Sequence, residues 1–234
     1  MKMPSSTVSG TTLLRQYGLY HSTRLHADRA LESMAAGWDA VQARLRDRVA
    51  AFEEAQACTM TALAVRDGEE ASLAGALRAF YGALVTKTNN DRKSPLFAVY
   101  FPEGLGALVD APMEIEAQRA LVLTSKLAEE KDTDLAAHRA PITEAVKRLL
   151  AAISVHKEEM AAQLQAYGRV EQEKVAWFDA YKLDHRTLSQ MFYRNPKRAE
   201  SYFKPAARTG KAPALRAVRA QGAPPASFGQ AVTP

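Results

Sequence analysis

The chain has 234 residues, 47% hydrophobic and 24% charged, an ordinary composition for a protein that buries a core without covalent staples. A single cysteine, Cys58, excludes an internal disulfide, and no uninterrupted apolar stretch approaches the ~20 residues that a membrane-spanning helix needs. The net charge of +5 is unevenly placed: residues 1–181 hold 21 Lys and Arg against 24 Asp and Glu, whereas residues 182–234 hold ten against Asp184 and Glu200 alone.

Residues 1–21 read as a partly ordered N-terminal segment. Lys2 is the only positive charge from Met1 to Gly10 and no apolar run has signal-peptide length, so the expected setting is cytoplasmic. Leu31, Met34, Trp38, Val41, Leu45, Val49 and Phe52 then recur at steps of three and four, which predicts a long helix over about 22–66. Ser22 or Thr23 offers an N-cap, and Asp67-Gly68 a stop. After Phe52 the stripe loosens into a stutter, and Cys58, among Ala55, Ala57 and Met60, is expected to be a small buried residue.

A second helix over about 69–88 would bury Leu73, Leu77, Phe80 and Leu84 and end in the turn formers Thr88 to Asp91. Residues 94–106 are apolar but carry two prolines and two glycines. They are expected to form a packed connector, the alternative being a hydrophobic docking loop or membrane-dipping tip. A third helix follows over about 112–130, with Pro112 at its start and Ile115, Leu121, Val122 and Leu127 along it.

From 141 to 193 a seven-residue repeat takes over. Its first core position holds Ile142, Leu149, His156, Gln163, Val170, Trp177, Asp184 and Met191, and its second Val146, Ile153, Met160, Tyr167, Lys174, Tyr181 and Leu188. Eleven of these fifteen are apolar or aromatic, which argues a coiled-coil-like seam along one rod of about 80 Å. The remainder, 204–234, is rich in Ala, Pro, Gly and Arg, with prolines at 205, 213, 224, 225 and 234, and is expected to be a disordered basic tail.

The predicted fold is all-α: an elongated antiparallel helical bundle, coiled-coil-like, with two long helices and an interrupted middle strut, filling one domain over 22–203. The longest helix should project beyond the body, leaving Trp177, Phe178, Tyr181 and Leu188 to self-associate, so a homo-oligomer is expected.

Catalytic signatures are missing. No Glu is followed three residues later by His, and the sequence has no Gly-x-Gly-x-x-Gly, Walker, Cys-x-x-Cys or Gly-x-Ser-x-Gly motif, so neither metal, cofactor nor small-molecule substrate is indicated and a non-enzymatic protein is expected. His156, at a core position, reads as a register-setting residue.

The basic end carries the functional signal. Arg194, Lys197, Arg198, Tyr202, Phe203 and Lys204, continued by Arg208 and Lys211, interleave cations with aromatics. That pattern suits nucleic acid, an anionic membrane surface, or a protein partner that takes a short motif. The competing expectation is that Tyr202 and Phe203 fold back on the bundle and the charge only solubilises. The leading expectation is a self-associating scaffold or adaptor that presents this tail; the alternative is a polyanion-binding protein using 192–219.

Overall fold

The computed structural model describes residues 3–205, and every regular element among them is helical. The first, α1, spans residues 10–26: α-helical at Gly10–Thr12 and Leu19–His26 and π-helical across Leu13–Gly18. Ser9 caps it by accepting from the Thr12 amide at 3.2 Å. The expected start of the first long helix at Ser22 or Thr23 is therefore wrong. The break falls at Asp28, whose carboxylate accepts from the Ala30 amide at 3.2 Å and begins a tight turn, Arg29–Leu31, into α2.

α2, Glu32–Lys87, is one helix of 56 residues that runs straight through Asp67-Gly68, where the sequence predicts a stop. A mid-helix glycine costs only about 1 kcal/mol. Pairing with the partner helix on both sides outweighs it: the Thr59 hydroxyl donates to the Glu159 carbonyl at 3.1 Å, and Arg148 reaches Glu69 at 2.9 Å. At 1.5 Å per residue α2 is about 84 Å long.

The apolar connector forms two short helices, α3 (Pro95–Tyr100) and α4 (Gly104–Val109), and buries Phe97, Tyr100, Phe101 and Leu108. α5 (Met113–Ala128) and the single turn α6 (Thr133–Ala136) lead to α7, Arg139–Met191, the second long helix at 53 residues. A short α8, Pro196–Glu200, ends the regular structure.

α2 and α7 pair antiparallel over nearly their whole length. Leu45, Phe52, Thr59, Arg66, Leu73 and Phe80, seven residues apart, form the inner line of α2. The cross-contacts Phe52 to Tyr167, Thr59 to Glu159 and Arg66 to His156 fix its register on α7. His156 thus sits on the seam, its Nδ1 3.3 Å from the Arg66 guanidinium.

Two cores lie at opposite ends of this pair. The distal core joins Leu73, Leu77, Phe80 and Leu84 of α2 to the connector, to Ala117, Ala120, Leu123 and Leu127 of α5, and to α7 from Ile142 to Ile153. The proximal core joins Leu13 and Leu25 of α1 to Trp38 and Leu45, to Trp177, Tyr181 and Leu188, and to Ala199, Tyr202 and Phe203 of the returning C-terminal segment. The middle strut therefore covers only the distal half. The proximal half is covered by α1, which from sequence alone reads as a partly ordered segment.

Candidate functional site

The C-terminal segment after α7 turns back at Phe192 to Asn195 and is clamped onto α1. Buried His21 stacks on Phe203 at 4.6 Å, contacts Trp38 and Tyr181 edge-on, and places its ring nitrogens 2.9 Å from the Tyr202 carbonyl and 3.1 Å from Asp184. Asp28 takes the Tyr202 hydroxyl at 2.7 Å and the Arg198 guanidinium at 2.8 Å, and these bonds hold its carboxyl below the usual range. Arg24 donates to the Ser201 carbonyl, and Lys204 to Gln16 at 2.6 Å.

The exposed ion pair of Asp28 with Arg198 is screened by solvent and holds the segment only weakly. Burial of Tyr202 and Phe203, each worth roughly 1.5–3 kcal/mol, contributes more to holding the segment down. Of the predicted contact residues, Tyr202 and Phe203 are thus core and unavailable for stacking on bases. Arg198 lies over the Phe192 ring at 4.3 Å while paired with Asp28, and Lys204 lies over Tyr17 at 5.0 Å. Arg194, beside the exposed Tyr193, and Lys197 face solvent and make no ion pair among the described residues. Arg208 and Lys211 lie outside the described residues, as does the expectation of a disordered tail beyond Pro205.

The aromatic end of α7 does not project bare. Trp177, Tyr181 and Leu188 are fully buried under α1 and the returning segment, and only Phe178 keeps partial exposure. The rationale for self-association through these four residues is corrected accordingly. The chain's own N-terminal helix covers them.

Exposed apolar surface appears instead in the middle of the rod. Where α1 begins, a Cβ on Gly10 would meet Val49 and Val170; where α5 begins, Glu114 pairs with Lys157. Between those levels, among the described residues, α2 and α7 stand as two helices with no third layer. Met60, Met160, Leu164 and Tyr167 are 59%, 52%, 72% and 48% exposed there. Phe52, Met160, Gln163, Leu164 and Tyr167 line an open depression of about 380 Å³. Cys58 is exposed on this waist, against the expectation that it is buried, because it lies one residue off the inner line, on the opposite side from α1 and α5. A shallow groove there also takes Ala62, Val65, Ala152 and Val155.

Glu116 in the distal core is fully buried, and neither carboxylate oxygen has a hydrogen-bond partner. Burial, reinforced by Glu70 and Asp110, pushes its carboxyl up to about 7, with Arg78 acting the other way. Lys174 is buried on the seam and satisfied by Glu171 at 2.9 Å. Among the described residues no three His, Cys, Asp or Glu side chains are placed to hold a metal ion, and no helix is long and apolar enough to cross a membrane.

The waist is a feature that the sequence does not place, whereas the fold-back of Tyr202 and Phe203 onto the bundle, the competing expectation for the basic end, is what the structure shows. The uncharged runs at residues 55–65 and 160–168 are the signal in the sequence for the waist. No family model matches the chain, and neither the curated proteins nor the solved structures contain a match to it.

Proposed function

We propose that the chain is a non-enzymatic, self-associating helical scaffold that presents its basic C-terminal segment to a partner from one end of a rod. The observation that supports this most is the clamp. His21, Asp28, Arg24 and Gln16 hold residues 198–204 in one place, so the basic segment up to Lys204 is fixed at one end of the rod.

The test is affinity capture with three proteins: the full chain, a deletion of 206–234, and an R194E/K197E pair. The scaffold reading expects partners that are retained by the full chain and lost on deletion. Equal capture by all three contradicts it.

A second reading, direct binding of nucleic acid or anionic membrane, is favoured by Arg194 and Lys197 standing solvent-exposed and without an ion pair among the described residues, beside Tyr193. It predicts that affinity for a short nucleic acid or for phosphatidylserine vesicles falls steeply with salt, and that the deletion flattens the slope. An unchanged slope rules it out.

A further inference from the structure

The waist combines three observations. First, it lacks charge: α2 has no ionisable acid or base from Ala55 to Val65 other than the Cys58 thiol, and α7 none from Met160 to Gly168 other than the Tyr167 phenol, although charged residues crowd both helices on either side. Solvated helix faces are normally studded with Glu, Lys and Arg. Stripping them over one stretch of both partners, at the one level where no third layer packs among the described residues, marks a surface that is covered.

Second, the covered side can be identified by counting in sevens. Gln42 and Val49 of α2 face α1, and Leu77 and Leu84 on the same line face the distal core; Leu63 continues that line through the waist. On α7, Ile153 packs distally and Tyr181 proximally, with Met160 and Tyr167 between them on one line. The α1 and α5 caps therefore stand on the same side of the pair. Met60, Leu63, Met160, Leu164 and Tyr167 form the floor of the notch between them.

Third, the notch has a size. From Lys157, paired with Glu114, to Val170, against Gly10, α7 advances thirteen residues, or about 20 Å. Two helices side by side at 8–10 Å are about 20 Å across, so a two-helix waist fits the opening, whereas a single extended strand of chain leaves most of it wet. Rods laid parallel would collide at their caps, each about 10 Å thick. Rods that cross put waist into notch reciprocally, the same patch on both partners, as a two-fold contact requires.

We propose that a second copy of this chain crosses at the waist, with Met60, Leu63, Met160, Leu164 and Tyr167 of each copy forming the centre of a four-helix contact. This deepens the self-association part of the scaffold reading and names its surface. The footprint, about 20 Å on a side from each copy, falls at the low end for specific interfaces, so a dimer with a micromolar dissociation constant is expected rather than an obligate one.

The experiment is sedimentation velocity of the full chain from 1 to 200 µM, with Leu164→Glu and Met60→Lys beside the wild type and the thermal melt of each as a folding control. Both positions are more than half exposed in one copy, so the variants should melt within a few degrees of wild type. The wild type should pass from monomer to dimer over this range, and each variant should weaken dimerisation at least tenfold. The Cys58 thiol, on the opposite side, should be labelled equally fast in monomer and dimer.

A wild-type monomer at 200 µM overturns both the waist contact and self-association. A dimer untouched by both variants, or one that protects Cys58, overturns the waist contact while leaving self-association standing. A monomer whose waist becomes dye-accessible only when residues 206–234 are removed assigns the notch to the chain's own tail and overturns the proposal.

Discussion

Glu116 sits where a carboxylate is hardest to keep ionised, and the consequence is a pH dependence of definite sign. Its folded carboxyl titrates at about 7 against an ordinary value of 4.5, so between those values the folded protein binds the proton more tightly than the unfolded chain. Its contribution to stability is complete below 4.5 and is lost as pH rises through 7. Glu116→Gln should remove that decline and stabilise the protein at pH 8 by about 3 kcal/mol, or roughly 6–12 °C in a melt, while matching wild type at pH 4.5. Parallel pH profiles for the two proteins would contradict the assignment. At the other end, burial beside Phe203 holds His185 below its usual value, so that its contribution is present above pH 6.5 and lost as pH falls. His21 is more deeply committed than either, since it joins α1, α7 and the returning segment. His21→Ala should cost about 3 kcal/mol and make residues 196–205 sensitive to protease under native conditions, leaving the distal core unchanged. Intact protection of that segment would show that the clamp does not depend on His21.

At the scale of elements, the continuity of α2 is the feature least legible in the sequence. Gly68 has open space where a Cβ would stand, so Gly68→Ala should raise stability by roughly 0.5–1 kcal/mol in chemical denaturation, and Gly68→Pro should lower it by about 3 kcal/mol or more. A real chain break at Asp67-Gly68 would tolerate the proline. The seam of α7 is readable because its repeat is long and its exceptions find partners: Lys174 lies against Glu171, and His156 beside Arg66. The apolar connector is readable as a packed segment because so many large side chains flank its prolines. α1 is not. Its buried residues Leu13, Gly18, His21 and Leu25 are few and mixed with Arg15, Gln16 and Arg24, and the π-helical stretch at Leu13–Gly18 breaks the helical period. Asp28, three residues before Leu31, is a helix-start signal that the apparent cap at Ser22 conceals. The candidate contact residues divide for the same reason: sequence shows that Tyr202 and Phe203 are aromatic beside cations, but not that Trp38 and His21 lie waiting to bury them.

At the scale of the whole molecule, the described residues form two compact cores joined by an antiparallel pair of helices, with apolar surface between them that no other described residue covers. Hydrogen exchange along α2 and α7 at two protein concentrations tests this description most directly. At 1 µM, amides in residues 31–45 and 70–84 should be strongly protected and those in 55–65 and 160–168 should exchange faster, because there only two helices support one another. At 200 µM the two waist segments should gain protection while the rest of the chain is unchanged. Uniform protection along both helices at either concentration, or slowing that spreads over the cores rather than the waist, would contradict the account.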